Sequence, residues 1–579
     1  MKRTRKKTKA RTRRDPYRLR VGTVLIVFAM VFSVLIARAV DLQILGRDLY
    51  DGEAKARQLR VVEIAARRGP ITDRNDEPLA VSSPVDTIFA VPAKLAQARE
   101  RIPELAQALG RSDESIMRDL SRYKNREFMY LKRHLAPETA AGVMRLKVPG
   151  VNSQREYRRF YPAAEVTGHV VGFTNIDGEG IEGLEWAYDD WLQEQTGRKR
   201  VIKDRRGNIV EDVEQIEPAI SGRPLAISID LRIQYMAYRE LKAAVARHKA
   251  RSASAVVIDV ASGEVLAMVN QPAFNPNSVG RYAAATRRNR AVVDVFEPGS
   301  SIKPFIVAAA LESGSYGPAS MIDTTPGYYQ VGRKTIRDKR NLGRIDLTTI
   351  LTKSSNVGAS KLALSLQRDE IWSVLTRLGF GSPTASGFPG ESGGLVNDFQ
   401  TWRDISVATL SYGYGLSVTT LQLAQAYATI GALGVRRPVS LLRLDEKPGG
   451  ERALSANSAR MLIDMMETVV TDEGTGGRAA VPGYRVAGKT GTAWKSTAGG
   501  YSEDRYLAVF AGVAPAGAPR LAVVVVMDEP SAGEFYGGIV AAPVFSRVAA
   551  GALRMLAVPP DDVATLNDTH ILQAMEAHR

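Results

Sequence analysis

The sequence predicts a mixed α/β (α+β) chain in which a helical insert interrupts an antiparallel sheet, behind an N-terminal apolar helix. Three observations carry this expectation. One charge-free run near the N-terminus is long enough to cross a bilayer, strand-like apolar runs stand at 255–270 and again at 506–527, and more than two hundred mostly helical residues separate them.

At 579 residues, with 45% hydrophobic and 24% charged residues, the chain is globular in composition and long enough for two or more folded units. The net charge of +16 is unevenly spread, because residues 1–20 hold eleven Lys or Arg against the single Asp15. The rest shows neither a basic recognition helix nor basic patches interleaved with aromatics, so nucleic acid is not an expected partner. Val21 to Ala37 carries no charge and continues past Arg38 through Ala39 and Val40, which predicts a transmembrane helix over 21–40. Basic residues stay on the cytoplasmic side of a membrane, so the tail 1–20 is expected inside and everything after about residue 41 outside. Ala37-Arg38-Ala39 also fits a signal-peptidase site, but the length of the apolar run and of the tail favours a retained anchor. The chain has no cysteine, so no disulfide staples the exported part.

From 41 to 221 the texture is mixed and loop-rich, with a strand-like run at Thr87 to Val91 and a helical stretch at Ala93 to Leu109. The glycine- and acid-rich segment Gly178 to Glu185 reads as a turn into a helix through Trp186 to Trp191 rather than a metal loop. A second domain, 222–560, opens with a strand at Leu225 to Ile229 and a long helix at Leu231 to Ala246. Ala255 to Asp259 and Val265 to Asn270 form a hairpin across Ser262-Gly263. Tyr506 to Val513 and Leu521 to Met527 are late strands, Pro543 to Leu556 is a helix, and 561–579 is a tail.

Three short motifs carry chemistry in the second domain. Ser300-Ser301-Ile302-Lys303 follows the turn Glu297-Pro298-Gly299 and opens the apolar helix Ile302 to Leu311, placing Ser300 at a helix start, where backbone N–H groups favour an oxyanion. Lys303, one turn on, shares its face. The other Ser-x-x-Lys, Ser121 to Lys124, lies in a basic polar stretch and reads as surface. Ser354-Ser355-Asn356 comes 54 residues after Ser300, between two helices, whereas Ser455-Ala456-Asn457 reads as a helix cap. Lys489-Thr490-Gly491-Thr492 lies on a strand entered from Tyr484, with Gly491 allowing close approach to the backbone.

These residue types fit one reaction. A serine hydroxyl attacks an amide only when a base takes its proton, and no histidine has a place beside Ser300, so Lys303 is the expected base. Burial or a nearby cation must lower its pKa, and Lys489 supplies that cation. Ser354 is expected between the two lysines as a relay to the leaving amine. Asn356 would hold the substrate's amide, the backbone N–H groups of Ser300 and Thr492 would form an oxyanion hole, and Lys489 with the Thr490 and Thr492 hydroxyls suits a terminal carboxylate. No cofactor or metal is called for.

The ordered triple is the signature of penicillin-binding proteins and class A β-lactamases. With Arg68 to Arg74, Leu79-Ala80, Tyr161-Pro162 and Gly180 to Gly183, the chain resembles the class B penicillin-binding proteins from the anchor to about residue 550. Ser411 to Leu416, Lys353 to Gly358, Asp528-Glu529-Pro530 and Tyr536-Gly537-Gly538 are similar to the division-specific type rather than the elongation type. No Glu-x-x-x-Asn of a β-lactam hydrolase lies between the second and third motifs. The resemblance implies a pedestal domain at 41–221 and a penicillin-binding, β-lactamase-like transpeptidase domain at 222–560. It implies cross-linking of septal peptidoglycan through a Ser300 acyl-enzyme, with stem peptides ending in D-Ala-D-Ala as donors and β-lactams as mimics. It further implies a catalytic domain in the periplasm, anchored in the inner-membrane bilayer, and a membrane glycan polymerase and other divisome proteins as partners. Phe535 and Tyr536 are expected in an aromatic wall of the site. Two residues depart from the family pattern: Asp76 replaces a usual glycine, and Trp494 a usual Arg or Lys.

Overall fold

The computed structural model describes residues 16–45, 59–203, 209–497 and 500–565. Residues 1–15 of the expected basic tail and 566–579 of the expected C-terminal tail lie outside the described residues. The chain divides into two compact units, Met1–Ala66 with Gln195–Ile220, and Arg67–Glu194 with Ser221–Arg579.

In the first unit, helix Pro16–Val40 runs into a π-helical turn, Asp41–Leu45. Its stretch Arg20–Ile44 has a mean hydropathy of 2.5 and is long and apolar enough to cross a membrane. Leu25, Phe28, Phe32 and Leu35 are all exposed, and a helix that is apolar all round matches lipid surroundings. The same unit holds a three-stranded antiparallel sheet of Leu59–Ile64, Gly197–Lys203 and Ile209–Glu217, the second in the middle. Its strands are crossed by exposed ion pairs such as Arg200–Glu214 (2.8 Å). That dense charge, in place of alternating apolar residues, hides these strands from a periodicity reading.

In the second unit, strand Pro78–Ala90 pairs with both Met129–Leu135 and Val151–Phe160, so the run read at Thr87 to Val91 is only its end. The helix expected over Ala93 to Leu109 is broken into Pro92–Leu95, a 3-10 segment Ala96–Arg101 with Ala98 at φ −120°, and Ile102–Leu109. Pro103 explains the restart, since its missing N–H is tolerated only in a first turn. Glu185 is fully buried and receives Arg68 Nε at 2.8 Å and Arg159 Nε at 2.6 Å; Arg68 also reaches Asp189 at 2.7 Å. Gly180 lies so close that a Cβ there would be 2.0 Å from the Glu185 carbonyl oxygen. The glycine- and acid-rich segment is thus a packing device around a buried ion cluster. Asp76 takes φ +65°, the conformation a glycine would supply, in a turn held by Asp73, whose carboxylate accepts from the N–H groups of Asn75, Glu77 and Leu231 at 2.7, 2.9 and 3.0 Å.

The strand expected at Leu225 to Ile229 covers only Leu225–Ala226, while helix α1 (Leu231–His248) forms as expected. The main sheet comprises β1 (Ser252–Asp259), β2 (Val265–Gln271), β3 (Ala487–Thr497), β4 (Gly500–Ala514) and β5 (Leu521–Asp528), antiparallel in the order β2-β1-β5-β4-β3. Every residue of β1 and β2 is buried because both faces are covered. Val256, Ile258, Val524 and Val526 face one core, and Ala255, Val257, Val523 and Val525 face the other. The insert between β2 and β3 supplies α2 (Lys303–Glu312), α3 (Leu347–Thr352), α4 (Asn356–Leu364) and α5 (Thr420–Gly431). All residues of α5 are buried, making it the axis of the insert, and α6 (Ala542–Met555) packs on the opposite core with α1. β3 stands at the sheet edge, against the turn that carries Ser300.

Candidate active site

Ser300 lies in a 3-10 turn, Gly299–Ile302, and the α-helix begins only at Lys303 rather than Ile302. Pro304 sets this start, since it occupies the first helical turn, where no N–H is needed. The turn is tightly held. Gly299 adopts φ +55°, its N–H donates to the Gly413 carbonyl at 3.2 Å, and the buried Tyr427 hydroxyl donates to the Ser301 carbonyl at 2.9 Å. Gly413 has no room for a side chain, as a Cβ would stand 2.0 Å from the Gly299 oxygen. A Cβ on Gly491 would meet the Pro298 carbonyl at 2.7 Å, so in this structure the close backbone approach that glycine allows is made by the nucleophile's own turn.

The three motifs converge on one hydroxyl. Lys303 is fully buried, and its Nζ donates to the Ser354 carbonyl at 2.6 Å, to Ser354 Oγ at 3.2 Å and to Asn356 Oδ1 at 2.7 Å. Lys489, equally buried, donates to the same Ser354 Oγ at 3.0 Å and to the Thr490 carbonyl at 3.1 Å. The Ser354 hydroxyl therefore sits between the two lysines. Among the described residues the hydrogen bonds of Lys303 all go to the second motif and none to Ser300 Oγ. Such contacts tighten when substrate binds.

Burial is the first cause acting on both lysines. It holds Lys303 well below the usual lysine range, aided by repulsion from Lys489 and opposed by Asp338, and it pushes Lys489 down to about 7. Two ammonium groups sharing one desolvated hydroxyl cannot both stay charged at low cost, which leaves a neutral amine available as a base near neutral pH.

Ser354 itself stands at φ +58°, a conformation unusual for a non-glycine residue, between α3 and α4. Asp338, a residue that no motif singles out, holds this geometry. Its carboxylate accepts from Ser355 Oγ at 2.5 Å and from the N–H groups of Asn356 and Val357 at 2.6 and 3.1 Å. Ser355 in turn caps α4 through the Gly358 N–H at 2.8 Å. Thr475, also unread from sequence, shares a 2.8 Å hydrogen bond with the Thr490 hydroxyl. Nothing in sequence marks Asp338 or Thr475, because both act from loops on partners 15 to 19 residues away, outside any one helical or strand period. Gly413 lies within Ser411 to Leu416, which the family resemblance does mark.

The remaining expected residues fall around this center. The Gly537 N–H donates to Thr492 Oγ1 at 3.1 Å, so that hydroxyl already accepts one hydrogen bond from the chain. Tyr536 is exposed, 4.5 Å from Phe535 between ring centroids, and Phe535 stacks on Tyr506 at 3.9 Å. The Lys339 ammonium lies 4.1 Å from the Tyr536 ring center. Trp494 is exposed, and its backbone N–H donates to the Tyr414 hydroxyl at 3.0 Å. The two decoys separate cleanly: Ser121 bonds its own helix through the Met117 carbonyl at 3.0 Å, and Ser455 caps Ala456–Glu467.

Residues 253–550 match the penicillin binding protein transpeptidase domain, and residues 63–227 the penicillin-binding protein dimerisation domain. The chain is 43% identical over 545 residues to the peptidoglycan D,D-transpeptidase FtsI of Escherichia coli, covering 93% of this chain and 92% of that protein. It is 40% identical over 540 residues to the probable peptidoglycan D,D-transpeptidase PbpC of Pseudomonas aeruginosa, covering 93% and 96%. Among solved structures, the transpeptidase domain of Burkholderia pseudomallei penicillin-binding protein 3 is 42% identical, with a TM-score of 0.54 over 58% of this chain and 97% of that one. A peptidoglycan synthetase from Bifidobacterium adolescentis, 24% identical, shares the fold with a TM-score of 0.69 over 87% of this chain and 98% of that one.

Proposed function

This chain belongs to the class B penicillin-binding protein transpeptidases, and from that membership we propose how its residues carry out the reaction. It is a peptidoglycan D,D-transpeptidase of the division-specific type, acting on stem peptides and acylated by β-lactams. Neutral Lys303 takes the Ser300 proton, and Oγ attacks the carbonyl carbon of the penultimate D-Ala. The backbone N–H groups of Ser300 and Thr492 receive the oxyanion, Asn356 holds the donor's amide, and Lys489 with Thr490 and Thr492 binds the terminal carboxylate. The proton passes through Ser354 to the leaving nitrogen, the C–N bond breaks, and D-Ala departs. The amine of a neighbouring stem then attacks the ester and regenerates Ser300.

The observation that carries this reading is the single Ser354 hydroxyl held at 3.2 and 3.0 Å by two buried lysines. A lone buried lysine is rare without a partner, and a pair aimed at one hydroxyl has no packing rationale. The test is covalent labelling with a fluorescent penicillin. Wild type and Ser121→Ala should label and Ser300→Ala should not; an unlabelled wild type sinks the reading.

The reading extends to place and partners. We assign a pedestal at 41–221 and a transpeptidase domain at 222–560, in keeping with the two matched domains. The helix around 21–40 anchors the chain once in the inner-membrane bilayer, N-terminus inside, with the catalytic domain in the periplasm. A membrane glycan polymerase and other division proteins are its partners. Protease added outside spheroplasts should digest the catalytic domain and spare the N-terminal tail; protection of the catalytic domain would reverse the orientation.

A further inference from the structure

A cavity of about 850 Å3 adjoins the nucleophile's turn and is used by none of the steps above. Glu297, three residues before Ser300, forms part of its wall, as do Ala493 and Trp494, the residues that follow Thr492 on β3. The two places are contiguous, since a Cβ on Gly299 would lie 3.3 Å from that of Ala493. The volume falls in the range of about 300–1,000 Å3 typical of ligand sites.

The charges around the cavity are matched with one exception. Arg288 and Arg290 pair with Asp294, Lys495 pairs with Asp528 and Glu529 at 2.6 Å each, and Arg251 pairs with Glu529 at 3.0 Å. Glu297 is the carboxylate of this wall that has no cationic partner among the described residues. Its Oε1 accepts from the Gly415 N–H at 2.8 Å and the Tyr501 hydroxyl at 2.9 Å, while its Oε2 is buried and without a hydrogen-bond partner. A carboxylate oxygen that is oriented, desolvated and unmatched costs stability unless something completes it. With that oxygen shut away from solvent, a ligand in the cavity senses the charge of Glu297 rather than the oxygen itself, and a cation offsets it best. Family members often carry Arg or Lys where Trp494 stands, so this chain lacks a built-in cation at that position and offers an indole face instead.

We propose that this cavity receives the acceptor stem peptide, with the unmatched negative charge of Glu297 in its wall drawing the acceptor ammonium beside the acylated serine. The proposal rests on the acyl-transfer reading above. In the transfer step the acceptor loses one proton to solvent, and its nitrogen forms a bond to the acyl carbon. The bond from that carbon to Ser300 Oγ breaks, and the second amine proton passes through Lys303 to Oγ. An amide and a free serine result.

The test uses the full-length protein, a D-Ala thioester donor and D-lysine as acceptor. The acyl-enzyme partitions between amide and hydrolysed acid, and this ratio is independent of how fast the acyl-enzyme forms. Glu297→Gln keeps the Oε1 acceptor and removes the charge; it should lower the amide-to-acid ratio about tenfold or more, the size expected when one close charge attraction is lost. The ratio for methanol, an uncharged nucleophile, should stay within about twofold, because only an attraction to charge is lost. Leu395→Trp, at an exposed position of the cavity wall, should lower the D-lysine ratio by steric filling. An unchanged D-lysine ratio in both variants, or an equal fall for methanol and D-lysine in Glu297→Gln, overturns the proposal. If no acyl-enzyme forms on Ser300 in the wild type, the transpeptidase reading itself fails and the proposal falls with it.

Discussion

At Lys303 the physical problem is to keep an amine neutral at a pH where free lysine, with a pKa of about 10.4, is charged. Burial and the Lys489 charge lower it, and only the neutral form is a base, so acylation should slow as pH falls through the lowered pKa. Penicillin labelling is expected to rise with pH and to level off well below pH 10, as read from labelling rates between about pH 5 and 10. Lys489→Met removes the repelling charge, so the rising limb should shift to higher pH; a limb that stays or moves down contradicts the coupling. Asp338 poses the converse problem, since one carboxylate accepts three hydrogen bonds and also opposes the depression of Lys303. Asp338→Asn keeps one acceptor oxygen and loses the charge. It should cost about 1–3 kcal/mol in a urea titration and slow labelling, because the Ser354 turn loosens.

Elements, rather than single side chains, bring the motifs into register. The turn before α2 is clamped between Gly413 of the insert and the edge strand β3, with both approaches too close for a methyl group. Gly413→Ala should therefore displace the Ser300 turn. A shift of about 1 Å at a reacting group costs on the order of 10²-fold in rate, so labelling should fall by that factor while circular dichroism remains folded. Labelling within about twofold of wild type would show that the clamp does not position the serine. The short helix α3 and the cap of α4 leave Ser354 alone at φ +58° between them, and Lys303 and Asp338 bind that junction from different elements.

For the whole molecule, the ion cluster of Glu185 with Arg68 and Arg159 belongs to the same compact unit as the main sheet. Glu185→Ala strands two buried guanidinium groups, and breaking such a pair costs about 3–5 kcal/mol. A large fall in the urea midpoint is expected, and a midpoint unchanged within error would show the cluster to be incidental. Removing residues 1–45 takes away the described helix that exposes its apolar side chains all round. The remaining protein should partition into the aqueous phase without detergent and still label at Ser300. Persistent membrane binding would point to a second attachment.

Patterns local in the chain were legible without a structure. These are the N-terminal helix, from a long apolar run; α1, from its amphipathic period; β1 and β2, from apolar runs on either side of the Ser262-Gly263 turn; and the three motifs, whose residue types constrain one another chemically. Sequence alone also identified Ser455 as a cap and Ser121 as surface, because each is settled within one turn of helix. Only the tertiary structure decided the rest. The charged strands around Gly197–Lys203 carry no apolar alternation, and Asp338, Thr475, Tyr427 and Glu297 act through contacts that span up to 204 residues. A hydrogen bond or a desolvated charge depends on what packing brings within about 3 Å. Residue spacing determines which chemistry is available, and only the packed fold determines which groups are buried, paired or left unmatched.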